Sequence, residues 1–480
     1  MTNLTALSDW PLFIGGAARE GRWTEVKDPG TGEVIARVPS AGKAEVSAAL
    51  GEAEQGTRIG RSLPTHERMR ILRRAAELIE ADQEAIALII ARESSKTLRE
   101  ARKETARCID TLRLSAEEAR RQGGEVIRFD QFPGSGNRMG FWDRGPVGIV
   151  VAITPFNDPL NLVAHKVGPA IAMGNAVVLK PSEKTPLSAL KLAEILYEAG
   201  LPGSMLSVLT GSSLHMGTRL IEDPRVRMVT FTGGLKTGQR IAHQAGLKKI
   251  SMELGSNSPA IILEDADLAQ ASRATVSGAF WAAGQNCLGV QRIFIQESVY
   301  GVVRERIIAL TRQIKMGDKL SESTDMGPLI NEREAMRVQD WVNDAKRRGA
   351  KVLTGGQRQQ GYYQPTILEN VPPGAIVLEE EVFGPVATLV PVVDLDEAIR
   401  QANSVNYGLQ AGVFTSDIRR AFKAIQELEV GGVMINDSSD YRIDAMPFGG
   451  VKGSGLGREG VRFTCEAMSE PKVVCFNLGE

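Results

Sequence analysis

Three polar side chains sit in segments otherwise rich in small and apolar residues. Cys287 lies in FWAAGQNCLGVQR (280–292), Glu253 in ISMELGSNSPAI (250–261) and Asn157 in AITPFNDPLNLVAHK (152–166). A thiol nucleophile, a carboxylate base and an amide donor form the minimum set for covalent chemistry on a carbonyl. Each residue also has a plain structural reading. A free cysteine packs as a small hydrophobe, an asparagine before a helix caps it, and a glutamate at a strand end is a solvated charge. The residues by themselves leave both readings open.

Such a set needs rigid elements to hold it. From Leu63 to about Gln122 apolar residues recur at three- and four-residue spacing, which predicts helix. GNRMGFWDRGPVGIVVAITPF (136–156) predicts extended structure ending in VGIVVAI, a run apolar on both faces that suits a strand covered on both sides. NAVVLK predicts the next strand and KTPLSALKLAEILYEAG a helix, with Thr185 as N-cap, Pro186 in the first turn and Gly200 past the end. MLSVLTG and RVRMVTFTGG continue as strands, and LKTGQRIAHQAG as a helix. A second series follows: strand PAIILED, helix DLAQASRATVSGAFWAAG, strand VQRIFIQESV. Strands alternating with helices imply right-handed crossovers and parallel sheets, so two α/β domains in succession are expected.

A nucleotide would lie at the carboxyl ends of such strands, its phosphates at a helix N-terminus. The GxGxxG fingerprint is absent. GSGNRMG (134–140) and GSGLGREG (453–460) follow no suitable strand and read as loops. FTGGLKTG (231–238) falls at a strand-to-helix junction, where Thr232, Gly233 and Gly234 would present amides to a phosphate or simply form a tight turn.

The chain has 480 residues, a length that suggests two or three domains, and a net charge of −1 that gives no support to a nucleic-acid or anionic-membrane partner. Its opening, MTNLTALSDWPLFIGG, lacks the basic and apolar regions of a signal peptide. No stretch approaches the roughly 18 apolar residues of a membrane span. The four cysteines form neither a CxxC pair nor a disulfide framework, so free thiols, a cytoplasmic setting and no metal site are expected.

Seven segments in order, PFNDP, KPSEKTP, VTFTGG, MELGSNSP, GQNC, EEVFGPV and MPFGGVKGSG, resemble the motif series of the NAD(P)-dependent aldehyde dehydrogenase superfamily, of the semialdehyde and lactaldehyde dehydrogenase kind. The resemblance runs from about residue 10 to the C-terminus. It implies an aldehyde dehydrogenase-like α/β fold: a cofactor domain of residues 1–123 and 146–252, a catalytic domain of 253–460, and a small β oligomerisation element of 124–145 and 461–480. It implies a homodimer or homotetramer, with the apolar VVCF near the C-terminus as an edge strand.

The same resemblance implies Cys287 as nucleophile, Asn157 as oxyanion donor and Glu253 as general base, with Lys166 and Glu470 as a proton-relay or structural couple. The implied cofactor is NAD, with NADP possible. Its site would comprise Ile153, Thr154, Pro155, Phe156, Lys180, Ser182, Glu183, Gly211, Thr232, Gly233, Gly234, Leu254, Glu381 and Phe383. A carboxylate at Glu183 accepts from ribose hydroxyls and repels a 2′-phosphate, which favours NAD. Three positions depart from the commonest pattern: Phe156 stands for a Trp, Gly234 for a Ser and Ser256 for a Gly.

The aldehyde pocket would draw on Arg107, Asp158, Leu162, His165, Asn286, Leu288, Tyr441, Arg442 and Phe448. That lining is polar, with Arg107, His165 and Arg442 able to pair with an anion or hydroxyl. A small aldehyde bearing a carboxylate, phosphonate or hydroxyl is therefore expected over a long-chain or aromatic one. A thiol hydrolase would need a histidine partner for Cys287, and none of the four histidines sits in a recognisable hydrolase motif. A CoA-acylating relative would use the same cysteine but usually lacks the carboxylate at Glu253. A non-catalytic protein retaining the fold is the third alternative.

Overall fold

The computed structural model describes residues 8–479. Two large sheets dominate. The first has eight strands in the order Gly455–Leu456, Lys249–Glu253, Val226–Thr232, Ile149–Ile153, Ala176–Lys180, Leu206–Val208, Leu12–Ile14, Ala17–Arg19. The strands from Lys249–Glu253 to Leu206–Val208 are parallel, and antiparallel strands close both edges. The apolar run in VGIVVAI is explained by what covers it. Val150 and Ala152 pack with helices Leu98–Arg121 and Asn161–Ala172, whereas Ile149 and Val151 pack with helices Lys43–Ser62 and Leu235–Ala245.

The second sheet has seven strands in the order Lys351–Thr354, Thr366–Glu369, Val386–Val392, Val290–Gln296, Ser258–Ile262, Gln410–Phe414, Gly432–Ile435. All pairings are parallel except the first. Ile262 and Ile293 face one core, Ile261 and Phe294 the other. Glu253 ends a strand of the first sheet and Ser258 begins the central region of the second. The chain therefore passes between sheets in four residues, and Glu253 stands at the seam. No helix among the described residues is long and apolar enough to cross a membrane.

A small antiparallel sheet joins Glu125–Ile127, Arg138–Pro146 and Ser469–Asn477. Its outer strand, Ser469–Asn477, exposes Val473 and Phe476.

Several local readings change. The helix Leu187–Glu198 is not capped by Thr185, whose buried hydroxyl has no partner among the described residues. The amides of Leu187 and Ser188 donate instead to the buried Glu93, a carboxylate supplied by another helix that no local pattern announces. GSGLGREG is not simply a loop, because Gly455–Leu456 pairs antiparallel with Met252–Glu253. Helix Val461–Ala467 packs its Val461 and Cys465 into the core of the first sheet rather than standing with the small sheet. Helix Lys43–Ser62 and the sheet formed by Ser8–Asp9, Val34–Pro39 and Trp23–Lys27 were not foreseen from periodicity.

Candidate active site

Cys287 is presented by an unusual turn. Ala282, Ala283 and Gly284 are all left-handed, with φ of 49°, 55° and 68°. Such a conformation costs a non-glycine residue on the order of 1–3 kcal/mol and persists only where the surroundings fix it. Here the buried Glu100 accepts from the Ala282 amide at 2.8 Å. Gln285 donates to the Ala282 and Pro328 carbonyls and accepts from the Ile330 amide. A Cβ on Gly284 would lie 2.2 Å from the Gly384 carbonyl oxygen, so only glycine fits. The turn leaves Cys287 half-buried against Leu288, Leu409 and Phe448.

Two cavities meet at this thiol, and Cys287, Glu253, Asn157 and Thr232 line both. Burial pushes the Cys287 thiol up to about 12, with the Glu381 and Glu253 carboxylates adding to the effect and Arg442 opposing it. Glu253 is buried and neither of its oxygens has a hydrogen-bond partner among the described residues. Burial, then the negative charge of Glu459, holds its carboxyl well above the ordinary carboxylate range.

The expected couple of Lys166 with Glu470 is not formed. Lys166 donates to Glu459 at 2.7 Å and to the Thr230 hydroxyl at 3.1 Å, with the pair's side chains only 1 % and 2 % exposed. Glu470 lies on the outer strand of the small sheet, exposed and paired with Lys249 at 2.9 Å. The reason is the pairing of Gly455–Leu456 with Met252–Glu253, which carries Glu459 back beside Glu253. Lys166 and Arg442 hold the Glu459 carboxylate ionised, at about 2. Replacing Lys166 by Met strands that charge, at a cost of about 3–5 kcal/mol. We expect a lowered thermal midpoint for Lys166→Met and partial recovery in Lys166→Met/Glu459→Leu, measured by calorimetry.

The smaller cavity, about 350 Å³, is lined by eight of the nine expected aldehyde-pocket residues: Arg107, Asp158, Leu162, Asn286, Leu288, Tyr441, Arg442 and Phe448. His165 is the exception. It is fully buried, with Nε2 2.8 Å from Asp444, and does not line the cavity. Lys96, Lys103, Trp281 and Asp440 also line the cavity and were missed. They lie one or two turns along predicted helices or in a loop with no motif.

The larger cavity, about 510 Å³, is lined by every expected cofactor residue except Gly211. Gly211 lines a neighbouring cavity that shares Glu183 and Lys184. A dinucleotide fits this cleft on the structure's own terms. Thr154 and Thr232 bury hydroxyls without partners among the described residues. The closely approached backbone at Gly233 would bring a Cβ within 2.5 Å of the Phe231 ring. Burial lowers Lys180 to about 8. Phe383, left-handed at φ 44°, meets the Phe156 ring edge to face at 5.7 Å. Glu381 accepts from the Ser256 amide at 2.9 Å, and burial raises it to about 7. Glu334, Arg337 and Trp341 complete the wall from the helix Glu332–Arg347, with Arg337 stacked over Trp341. No sequence signal pointed to them.

The aldehyde dehydrogenase family pattern matches residues 17–474. The chain belongs to the aldehyde dehydrogenase family. It is 49 % identical to an aspartate-semialdehyde dehydrogenase of Pseudomonas canavaninivorans over 95 % of this chain and 96 % of the relative. It is 44 % identical over 100 % of both chains to a 3-sulfolactaldehyde dehydrogenase of Priestia megaterium. The crystal structure of an NADP-dependent glyceraldehyde-3-phosphate dehydrogenase of Bacillus halodurans C-125, complexed with NADP, superposes with a TM-score of 0.96. It covers 98 % of this chain and 100 % of that one, at 38 % identity. This aldehyde dehydrogenase is thus an NAD(P)-dependent oxidoreductase with the family's fold, acting on small aldehydes.

Proposed function

We propose that this aldehyde dehydrogenase oxidises a small, anion-bearing aldehyde to the free acid with NAD. The observation that carries the reading is a half-buried thiol and a buried carboxylate without a hydrogen-bond partner among the described residues, at the junction of a polar pocket and a dinucleotide-sized cleft. The sulfonate and carboxylate substrates in the names of the two sequence relatives support it.

Cys287 Sγ bonds to the aldehyde carbon while the thiol proton leaves to a carboxylate. The Asn157 amide and the Cys287 backbone N–H donate to the oxyanion of the thiohemiacetal, a kind of donor whose loss typically costs about 10²–10³ in turnover. When bound, the nicotinamide accepts the hydride released as the adduct becomes a thioester. Glu253 then takes a proton from water, which attacks the thioester carbon, releasing the carboxylic acid and restoring the thiol. Burial, with the Glu459 carboxylate beside it, holds the Glu253 carboxyl well above the ordinary carboxylate range, and so strengthens it as a base. Glu183, exposed beside Lys180, favours NAD through the ribose hydroxyls. The exposed edge Ser469–Asn477 supports a dimer or tetramer.

A panel of aldehydes with NAD and NADP in parallel tests the reading. Succinate semialdehyde with NAD is expected to exceed nonanal and benzaldehyde in kcat/KM by at least about tenfold. The product in the presence of CoA is expected to be free acid. Equal rates on nonanal, or acyl-CoA as the main product, would overturn it.

A further inference from the structure

The thiol and the amide donor come from different parts of the fold. Cys287 follows the left-handed turn that precedes a strand of the second sheet, and Asn157 follows a strand of the first. Neither segment supports itself. Ala282 and Ala283 hold a conformation that persists only where the surroundings impose it. The helix Asn161–Ala172 begins just after Asn157 and has no cap of its own. Leu160 at its N-cap offers no side-chain acceptor, so the first amides must find one elsewhere.

One helix serves both. Glu100 and Glu104 lie a turn apart on the same face of Leu98–Arg121, and both are buried. Glu100 accepts from the Ala282 amide with one oxygen and from the Thr97 amide with the other, each at 2.8 Å. One Glu104 oxygen accepts from the Leu160 and Asn161 amides at 2.8 and 3.0 Å, a negative charge at a helix N-terminus. The other accepts from the buried Lys96 Nζ at 2.7 Å, and Lys96 also donates to Asp158, the neighbour of Asn157. Burial pushes the Glu100 carboxyl up, and the Lys96 charge opposes the effect. Two buried carboxylates and their cation thus spend their hydrogen bonds on the two segments that carry the reacting groups.

We propose that Glu100 and Glu104 are positioning residues that hold the Cys287 thiol and the Asn157 amide in register from a single rigid turn of helix. Neither carboxylate lines the aldehyde pocket or the cofactor cleft, so each acts only through the segment it holds. A misplacement of about 1 Å between reacting groups can cost on the order of 10² in rate. The proposal rests on Cys287 as nucleophile and Asn157 as oxyanion donor, and adds what sets the one against the other.

The test separates the two carboxylates, because alkylation of Cys287 by iodoacetamide needs no oxyanion donor whereas hydride transfer from succinate semialdehyde needs thiol and donor together. In Glu104→Gln the single-turnover rate constant for NAD reduction, which is independent of the folded fraction, is expected to fall at least about tenfold. The labelling rate of Cys287, read on its peptide by mass spectrometry, is expected to stay within about threefold of the wild type. Added to Asn157→Ala, Glu104→Gln is expected to slow reduction by less than about threefold more, since its effect runs through that amide. Glu104→Asp, which keeps the charge and shortens the reach, is expected to fall between the wild type and Glu104→Gln. In Glu100→Gln reduction is expected to fall at least about tenfold and the labelling rate to change at least about fivefold, because the thiol itself moves. Equal losses of both rates in Glu100→Gln and Glu104→Gln, or full additivity with Asn157→Ala, would make the pair mere support for the fold and overturn the proposal. A slow Asn157→Ala beside unchanged Glu100→Gln and Glu104→Gln overturns the positioning role alone. An Asn157→Ala enzyme that reduces NAD at the wild-type rate overturns the oxyanion donor, and the role of Glu104 with it.

Discussion

Cys287→Ala is expected to lower aldehyde-dependent reduction of NAD by at least about 10⁴-fold, since without the nucleophile no covalent adduct forms. The same substitution leaves the scaffold intact. The left-handed turn is held by Glu100 and Gln285, not by the thiol. Alanine keeps the Cβ, and the lost sulfur was only half-buried against Leu288, Leu409 and Phe448. The thermal midpoint and the affinity for NAD should therefore change little. Labelling offers a second readout. Cys108 and Cys465 are buried, so iodoacetamide should modify Cys287 and the exposed Cys475 in the wild type and Cys475 alone in the variant. Retained turnover in Cys287→Ala would remove the thiol from the mechanism altogether.

The sequence was most legible where one strong pattern acts locally. The doubly apolar VGIVVAI implied a strand with cover on both faces, and cores lie on both sides of it. The strand-then-helix alternation gave both parallel sheets, and the motif series gave the family. What periodicity could not supply were contacts made across long sequence separations. Glu93 caps a helix 94 residues away, and Glu100 fixes a turn 182 residues away. Lys166 meets Glu459, 293 residues on, because a two-residue strand returns to the first sheet inside a segment that reads as glycine-rich loop. Glu470 sits in a similar polar context and is the wrong carboxylate, since the outer strand of the small sheet turns it to solvent. Arg107 and Arg442 look alike in sequence. Only their partners distinguish a guanidinium shared by the Asp158 and Asp444 carboxylates from one that pairs with Glu459 and stacks on the Phe448 ring.

Glu253→Gln is expected to slow steady-state turnover by about 10²–10⁴-fold while leaving the first hydride transfer largely intact. Rapid mixing should then show a burst of reduced cofactor followed by a slow phase, and mass spectrometry an acyl adduct on Cys287. The pH dependence follows from the burial that raises the Glu253 carboxyl. The base acts only when ionised, so wild-type turnover should climb with pH along a limb lying above the ordinary carboxylate range. That limb should vanish in Glu253→Gln. Stability should move the opposite way. A carboxyl whose folded-state pKa exceeds its unfolded value leaves the folded chain with more bound protons than the unfolded one between the two values, so stability falls as pH rises through that window. The amide carries no such penalty, and the oxygens it replaces made no hydrogen bonds among the described residues. The thermal midpoint of Glu253→Gln should therefore match the wild type below the ordinary carboxylate range, at about pH 4, and exceed it increasingly as pH rises above that range. A variant both slower and less stable at the upper end would mean that Glu253 is a structural carboxylate whose partners form only in the working enzyme. Slower but more stable is the signature of a base held at a cost to the fold.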